Sequence, residues 1–192
     1  MANGTLKVQN IETSSGSGTI TLGQSGETIN FPSGVTITNN GTSKLNQPAF
    51  EAYRGSAQTV SDATVTKVQY DTETFDTDNC YDNSTNYRFT PTVAGKYFVY
   101  VSIQAASSVA NDIKQVQIQL YKNGSLYRQS RQINDPSETN WQIIHTHAII
   151  DMNGSTDYLE VYGYIDKIQT STISFTSGTK NTYFGAYRLG VE

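Results

Sequence analysis

An all-β sandwich is the fold this chain predicts, and three observations carry the prediction. The first is composition. The 192 residues include 13 tyrosines and 7 phenylalanines but only 16% charged side chains. Aromatic and β-branched residues suit a pleated, half-buried surface. The second is rhythm: from residue 45 onward, short runs alternate apolar and polar positions, with Gly, Asn, Pro or Ser punctuation about every 8–12 residues, the spacing of a sandwich or jelly roll. The third is that no window holds helical spacing with caps, so no helix is expected.

The strands follow in order. Ala49 to Tyr53 opens the set and Val65 to Tyr70 alternates. Tyr87 to Phe89 runs into Thr90-Pro91, which punctuates. Lys96 to Ala105 is a long strand. Val116 to Tyr121 alternates and ends in Lys122-Asn123-Gly124-Ser125, where Asn-Gly supplies the positive φ of a tight hairpin. Leu126 to Gln132 returns. Trp141 to Asp151 stops at Asn153-Gly154, Tyr158 to Ile165 alternates, and Thr182 to Val191 closes the domain.

Residues 1–44 differ. They hold no tyrosine and little charge, and short apolar pairs recur: Leu6/Val8, Ile20/Leu22, Ile29/Phe31, Val35/Ile37. Residues two apart share one face of a strand. Strands this short bury that face only by stacking, within a solenoid or between wound chains. The segment is therefore expected to be a stem or docking arm. A flexible Gly/Ser-rich arm that orders on a partner is the alternative.

The stretch Tyr81 to Tyr100, YDNSTNYRFTPTVAGKYFVY, resembles the signature of the C1q/TNF-like globular head. Tyr81-Asp82, Phe89, Pro91, Gly95, Tyr97 and Tyr100 follow the family's spacing, with Phe75 where the family keeps an aromatic before its Tyr-Asp segment. Pro48 to Ala52 resembles its first strand and Leu120 to Gly124 its Lys-Asn-Gly hairpin. Tyr158 to Val161 and Phe184 to Leu189 resemble its last strands. The resemblance spans about residues 48–190 and implies a jelly roll that assembles as a homotrimer and binds rather than catalyses. It departs from the family in lacking a Gly-x-y collagen stalk and in the acidity of residues 71–82. The stalk's place is taken by a segment, GTITLGQSGETINFPSGVTI, that resembles stems of phage structural proteins.

Tyr97, Val99 and Val101 face one way on the long strand, and Phe98, Tyr100 and Ser102 the other. Large side chains on both faces call for cover on both sides. The resemblance, whose heads assemble as trimers through aromatic contacts near the threefold axis, makes Phe89, Gly95, Tyr97, Phe98, Tyr100, Phe184 and Tyr187 the expected core or trimer-interface residues, with a larger single-chain core as the alternative. Gly95, between two strands, is expected at positive φ.

His145 and His147, the two histidines, share one face of a strand. Three such pairs near an axis would fill an octahedral shell for iron, nickel or zinc; two ordinary polar positions is the plainer reading. Asp71, Glu73, Asp76, Asp78 and Asp82 read as a solvated acidic loop, with a Ca²⁺ site as the alternative, since the EF-hand spacing is missing. Candidate carboxylates for glycoside hydrolysis exist, but no groove-forming insert does. No GxSxG elbow or phosphate loop is present, so no catalytic residue is assigned. Tyr53, Arg54, Tyr127, Arg128, Arg131, Trp141, Tyr162 and Tyr164 are candidates for recognition, because Tyr, Trp and Arg anchor binding sites.

The net charge of −4 and the absence of any Lys/Arg run exclude phosphate-backbone binding. No apolar segment is long enough for a membrane helix. The lone Cys80 forms no intrachain disulfide, and no secretory leader is visible. Together these point to synthesis in a bacterial host cytoplasm and residence in a virion. The sequence thus predicts a homotrimeric phage fibre or spike protein. Residues 1–44 are expected to contact other virion proteins, and a head at 45–192 to bind a host-surface glycan or protein. A capsid decoration protein is the alternative. No cofactor is expected beyond the possible axial metal or Ca²⁺.

Overall fold

The computed structural model describes residues 11, 28–35, 47–134 and 139–189. The chain divides into two units, Met1–Ser43 and Lys44–Glu192. Within the first, residues 28–35 are exposed, contain a turn at 33–34 and form no strand. The expected strands at Ile29/Phe31 and Val35 are therefore not formed there: Pro32 has no amide for a ladder, and Val35 N–H turns back to Pro32 O at 3.2 Å. The rest of the expected stem lies outside the described residues.

The second unit is two antiparallel sheets, with no helix among the described residues. In chain order the strands are β1 (Ala49–Tyr53), β2 (Gln58–Val60), β3 (Thr66–Lys67), β4 (Thr72–Asp76), β5 (Tyr81–Asp82) and β6 (Arg88–Phe89). There follow β7 (Gly95–Ser107), β8 (Ile113–Lys122), β9 (Ser125–Ile133) and β10 (Trp141–Met152), and then β11 (Leu159–Lys167), β12 (Ile173–Phe175) and β13 (Tyr183–Arg188). The first sheet runs β4-β1-β13-β7-β10, with β12 on the far end of β7 and β2 beyond it. The second runs β5-β6-β11-β8-β9, with β3 on β11. Asn123 and Gly124 both take positive φ, 52° and 76°, and turn β8 into β9.

The core fills the space between the sheets. Phe50 lies at its centre, stacked on Tyr81 at 4.5 Å and on Phe89 at 4.7 Å, with Phe184 edge-on at 4.9 Å. Buried hydroxyls are satisfied: Tyr81 donates to Tyr70 O, Tyr70 to Ser102 O and Tyr97 to Val93 O. Along β7, Tyr97, Val99, Val101, Ile103 and Ala105 are buried. The inward alternation therefore runs the length of the strand.

Several elements differ from expectation. Of Val65 to Tyr70, only Thr66–Lys67 is strand. Val68 and Tyr70 are buried as alternation requires, but the Gln58 amide brackets Lys67 O and Gln69 N, doing the work of a strand neighbour. The expected acidic loop contains a strand, because β4 pairs with β1 across Phe50↔Asp76 to Tyr53↔Thr72. It is an edge strand, and charged, poorly patterned residues are usual there. Strand β6 starts at Arg88, since Tyr87 has φ 51° and closes the preceding turn. Strands β2 and β12 are three residues each and too short to announce themselves.

Because three aromatic rings pack on Phe50, Phe50→Ala is expected to destabilise the head by about 3–5 kcal/mol, measured as a lowered midpoint in urea denaturation with the m-value unchanged.

Candidate functional site

The second face of β7 builds the site. Phe98 and Tyr100 project from the first sheet away from the core, and the register places their neighbours in rows. One row is Ile149, Phe98 and Tyr187. The next is His147, Tyr100, Gly185 and, on β1, Glu51. A third brings His145 and Tyr183 to either side of Ser102. Phe98 lies 5.5 Å from the Tyr187 ring, 6.2 Å from Tyr100 and 6.0 Å from His147. Tyr183 lies 6.2 Å from Tyr100 and 6.5 Å from His145. The result is an outward aromatic field, with Ile149 56%, Tyr187 46% and, on β4, Phe75 43% exposed.

Gly185 makes that field possible. The Tyr100 ring lies flat across β13 and its hydroxyl donates to Glu51 Oε2 at 3.0 Å. A side chain at 185 would occupy the space of the Tyr100 ring. Burial, then the hydrogen bond to Glu51, holds the Tyr100 hydroxyl well above the usual phenol range, so it stays a neutral donor. Between Glu51, Phe98, Tyr100, Lys180, Tyr183 and Tyr187 lies an open depression of about 670 Å³.

The expected core or interface residues separate by face. Phe89, Tyr97 and Phe184 are in the core. Phe98, Tyr100 and Tyr187 are on the outer field. Gly95 sits at the start of β7 with φ 147°, and a Cβ there would stand 2.8 Å from Arg188 Nε. Tyr183 and Glu51 complete the field and were not singled out from sequence. Strand β13's alternation from Tyr187 back to Tyr183 carried the first signal; nothing local carried the second.

His145 and His147 share this field and are exposed. One copy supplies two ligands, and no group of three or more His, Cys, Asp or Glu that could hold a metal occurs among the described residues. The acidic residues do not converge either. Asp71 pairs with Arg54 at 2.9 Å. Asp76 accepts Tyr81 N–H and the Cys80 thiol, and Asp78 accepts from Thr92. Asp82 accepts the amides of Ser84, Thr85 and Asn86. Cys80 is buried, and desolvation first, then Asp76, pushes its thiol far up, which keeps it an unreactive thiol. Of the recognition candidates, Arg54 is buried, Tyr53, Tyr162 and Tyr164 are half-buried, and Tyr127, Arg128, Arg131 and Trp141 are exposed. They are scattered over both sheets rather than gathered.

No protein-family profile and no curated protein matches this sequence. Solved structures do share its fold. The globular domain of zebrafish complement 1qA superposes with a TM-score of 0.53 at 14% identity, over 77% of this chain and all of that one. Murine APRIL gives 0.51 at 12%, over 75% of this chain and all of that one. Eiger TNF from S. frugiperda gives 0.50 at 13%, over 76% and 93%. The head is a C1q/TNF-type jelly roll.

The Asp82 turn makes an acid-sensitive point. The amide hydrogen bonds, Thr85's foremost, lower its pKa well below the usual carboxylate range. A lowered folded-state pKa stabilises the fold above the unfolded value, near pH 4, and that contribution fades as pH falls further. Asp82→Asn is expected to flatten the stability profile below about pH 4 while lowering stability at pH 7, read from urea midpoints across pH.

Proposed function

We propose that this chain is a non-enzymatic phage virion fibre or spike protein. Its heads assemble as a homotrimer through the outer field of the first sheet and present a receptor-binding surface to the host. The observation that carries the assembly is that field: Phe98, Tyr100, Tyr183, Tyr187 and Ile149 form one contiguous apolar and aromatic surface on a finished sandwich. Contiguous patches of this kind mark interaction sites, and a closed ring of copies covers each one without leaving an open end. The C1q/TNF-type fold supports the same reading, because the resemblance in sequence implies trimers of binding heads. The virion setting rests on the Gly-Thr-x-apolar phrases of residues 1–44, which would contact other virion proteins. An axial metal in this reading would draw on His145 and His147 from three copies, since one copy alone offers too few ligands.

Multivalency is the mechanism. Three heads per fibre and several fibres per particle turn weak contacts into firm attachment. The same properties serve a capsid decoration protein, which would occur in hundreds of copies per particle rather than tens.

Light scattering of the purified protein is expected to give three times the 21.1 kDa chain mass. Phe98→Asp is expected to yield a folded monomer, weakening assembly on the order of a hundredfold or more by burying an unpaired charge. A wild-type monomer would overturn the assembly. Purified trimer is expected to block adsorption of the phage, and failure to do so would favour the decoration role.

A further inference from the structure

We infer that the end of the sandwich carrying Trp141 is a binding site for a neutral saccharide. Strand β7 runs about 40 Å between two poles. At one, the chain enters and leaves the sandwich, where Arg188 N–H bonds Pro48 O and Leu189 N–H bonds Lys96 O. At the other, Trp141 begins β10 opposite Ala106. Trp141 is the only tryptophan of the chain and is 56% exposed. It borders a concavity of about 320 Å³ whose other walls are Thr139, Asn140 and Gln142, a volume at the lower end of small-ligand sites. An exposed indole face beside the Thr139 hydroxyl and the Asn140 amide offers what a sugar ring requires. The ring's C–H face stacks on the aromatic plane, and its hydroxyls both donate to and accept from the polar neighbours.

The described loops of the pole are tied together by hydrogen bonds, which limits the entropy lost on binding. Asp112 is fully buried and ties its loops together. Its carboxylate accepts the hydroxyls of Ser107 and Ser171 and the amides of Ile168 and Gln169. The Gln169 side chain donates to Ala110 O and Asn111 O, both at 3.0 Å. Asp112 N–H bonds Thr139 O at 3.1 Å, and Ser107 N–H bonds Asn140 O at 2.8 Å. The backbone leading into Trp141 is thereby fixed.

Charge selects the neutral class. The charged groups described at this pole are already engaged: Lys114 with Asp166 at 3.0 Å, Lys167 with Ser171 O, Asp62 with Lys167 N–H, and Asp112 as above. Among the described groups that tie this pole together, no carboxylate or ammonium is left without a partner. The inference names a ligand class for the receptor-binding reading, but it does not depend on the trimer or on a phage setting.

The lone Trp141 makes the test site-specific. The full chain is titrated with glucose, galactose, mannose and N-acetylglucosamine, and with short oligomers of each, following tryptophan emission. Galacturonate serves as the acidic comparison. A saturable change with at least one neutral sugar is expected. Asn140→Ala, which keeps the fluorophore, is expected to weaken that binding about tenfold. Three results would overturn the site: unchanged emission with every neutral sugar, a response to galacturonate alone, or an Asn140→Ala protein that titrates like the wild type. Quencher accessibility, measured together with mass by light scattering, separates this from the assembly. A trimer with a shielded indole would make Trp141 an interface residue and sink the saccharide site alone. A monomer that binds sugar would sink the trimer alone.

Discussion

One strand with large side chains on both faces governs this molecule. Inward, β7 presents Tyr97, Val99, Val101 and Ile103 to the core; outward, it presents Phe98 and Tyr100. A strand in a two-sheet sandwich needs only one apolar face. The second is surplus to folding, so its aromatic content calls for another cause. The outward rings are also held in place: Tyr100 lies across Gly185 and is fixed to Glu51, and Phe98 is flanked by Tyr187 and His147. A field ordered before any partner arrives loses little side-chain freedom on docking.

The two faces also differ chemically in a way that separates folding from binding. Core tyrosines deliver their hydroxyls to backbone carbonyls, as Tyr70, Tyr81 and Tyr97 do. They are polar groups neutralised within the chain, and desolvation raises the Tyr97 hydroxyl to about 12. The outer tyrosines keep rings and edges available, with Tyr187 46% exposed. The same residue type thus serves as a satisfied core member on one side and as an amphipathic contact on the other, which is why tyrosine can dominate both.

How far the sequence disclosed this depends on the range of the interactions. The long strands were legible, because period-2 alternation over ten or more residues is a local signal, as in β7 and β10. So was the Asn123-Gly124 turn, whose positive φ is a property of the two residues themselves. The edge strand β4 was not, because its pattern is acidic and β1, its hydrogen-bonded neighbour among the described residues, lies some twenty residues away in sequence. Of the outer field, Phe98 and Tyr100 could be picked out from the alternation of β7, and Tyr187 from the resemblance of the last strand to the family's. Glu51 could not, because its role comes from a hydrogen bond spanning 49 residues. The Asp112 clamp is more hidden still: Ser107 is near it in sequence, but Ile168, Gln169 and Ser171 lie 56 to 59 residues away, beyond any local window.

Geometry links the proposed assembly surface to the proposed ligand site. A shallow concavity that takes one or two sugar rings has few atoms to contact, and the free energy available per ligand atom is bounded. Such a site serves attachment only when repeated. Cyclic symmetry places every copy of a given surface point at the same height about the axis, so three Trp141 poles in a trimer would face a target surface in the same sense. Single-ring affinity then multiplies through effective concentration rather than through new contacts. The proposed assembly field and the proposed ligand pole would complement each other for that reason, the first gathering copies and the second repeating a weak contact.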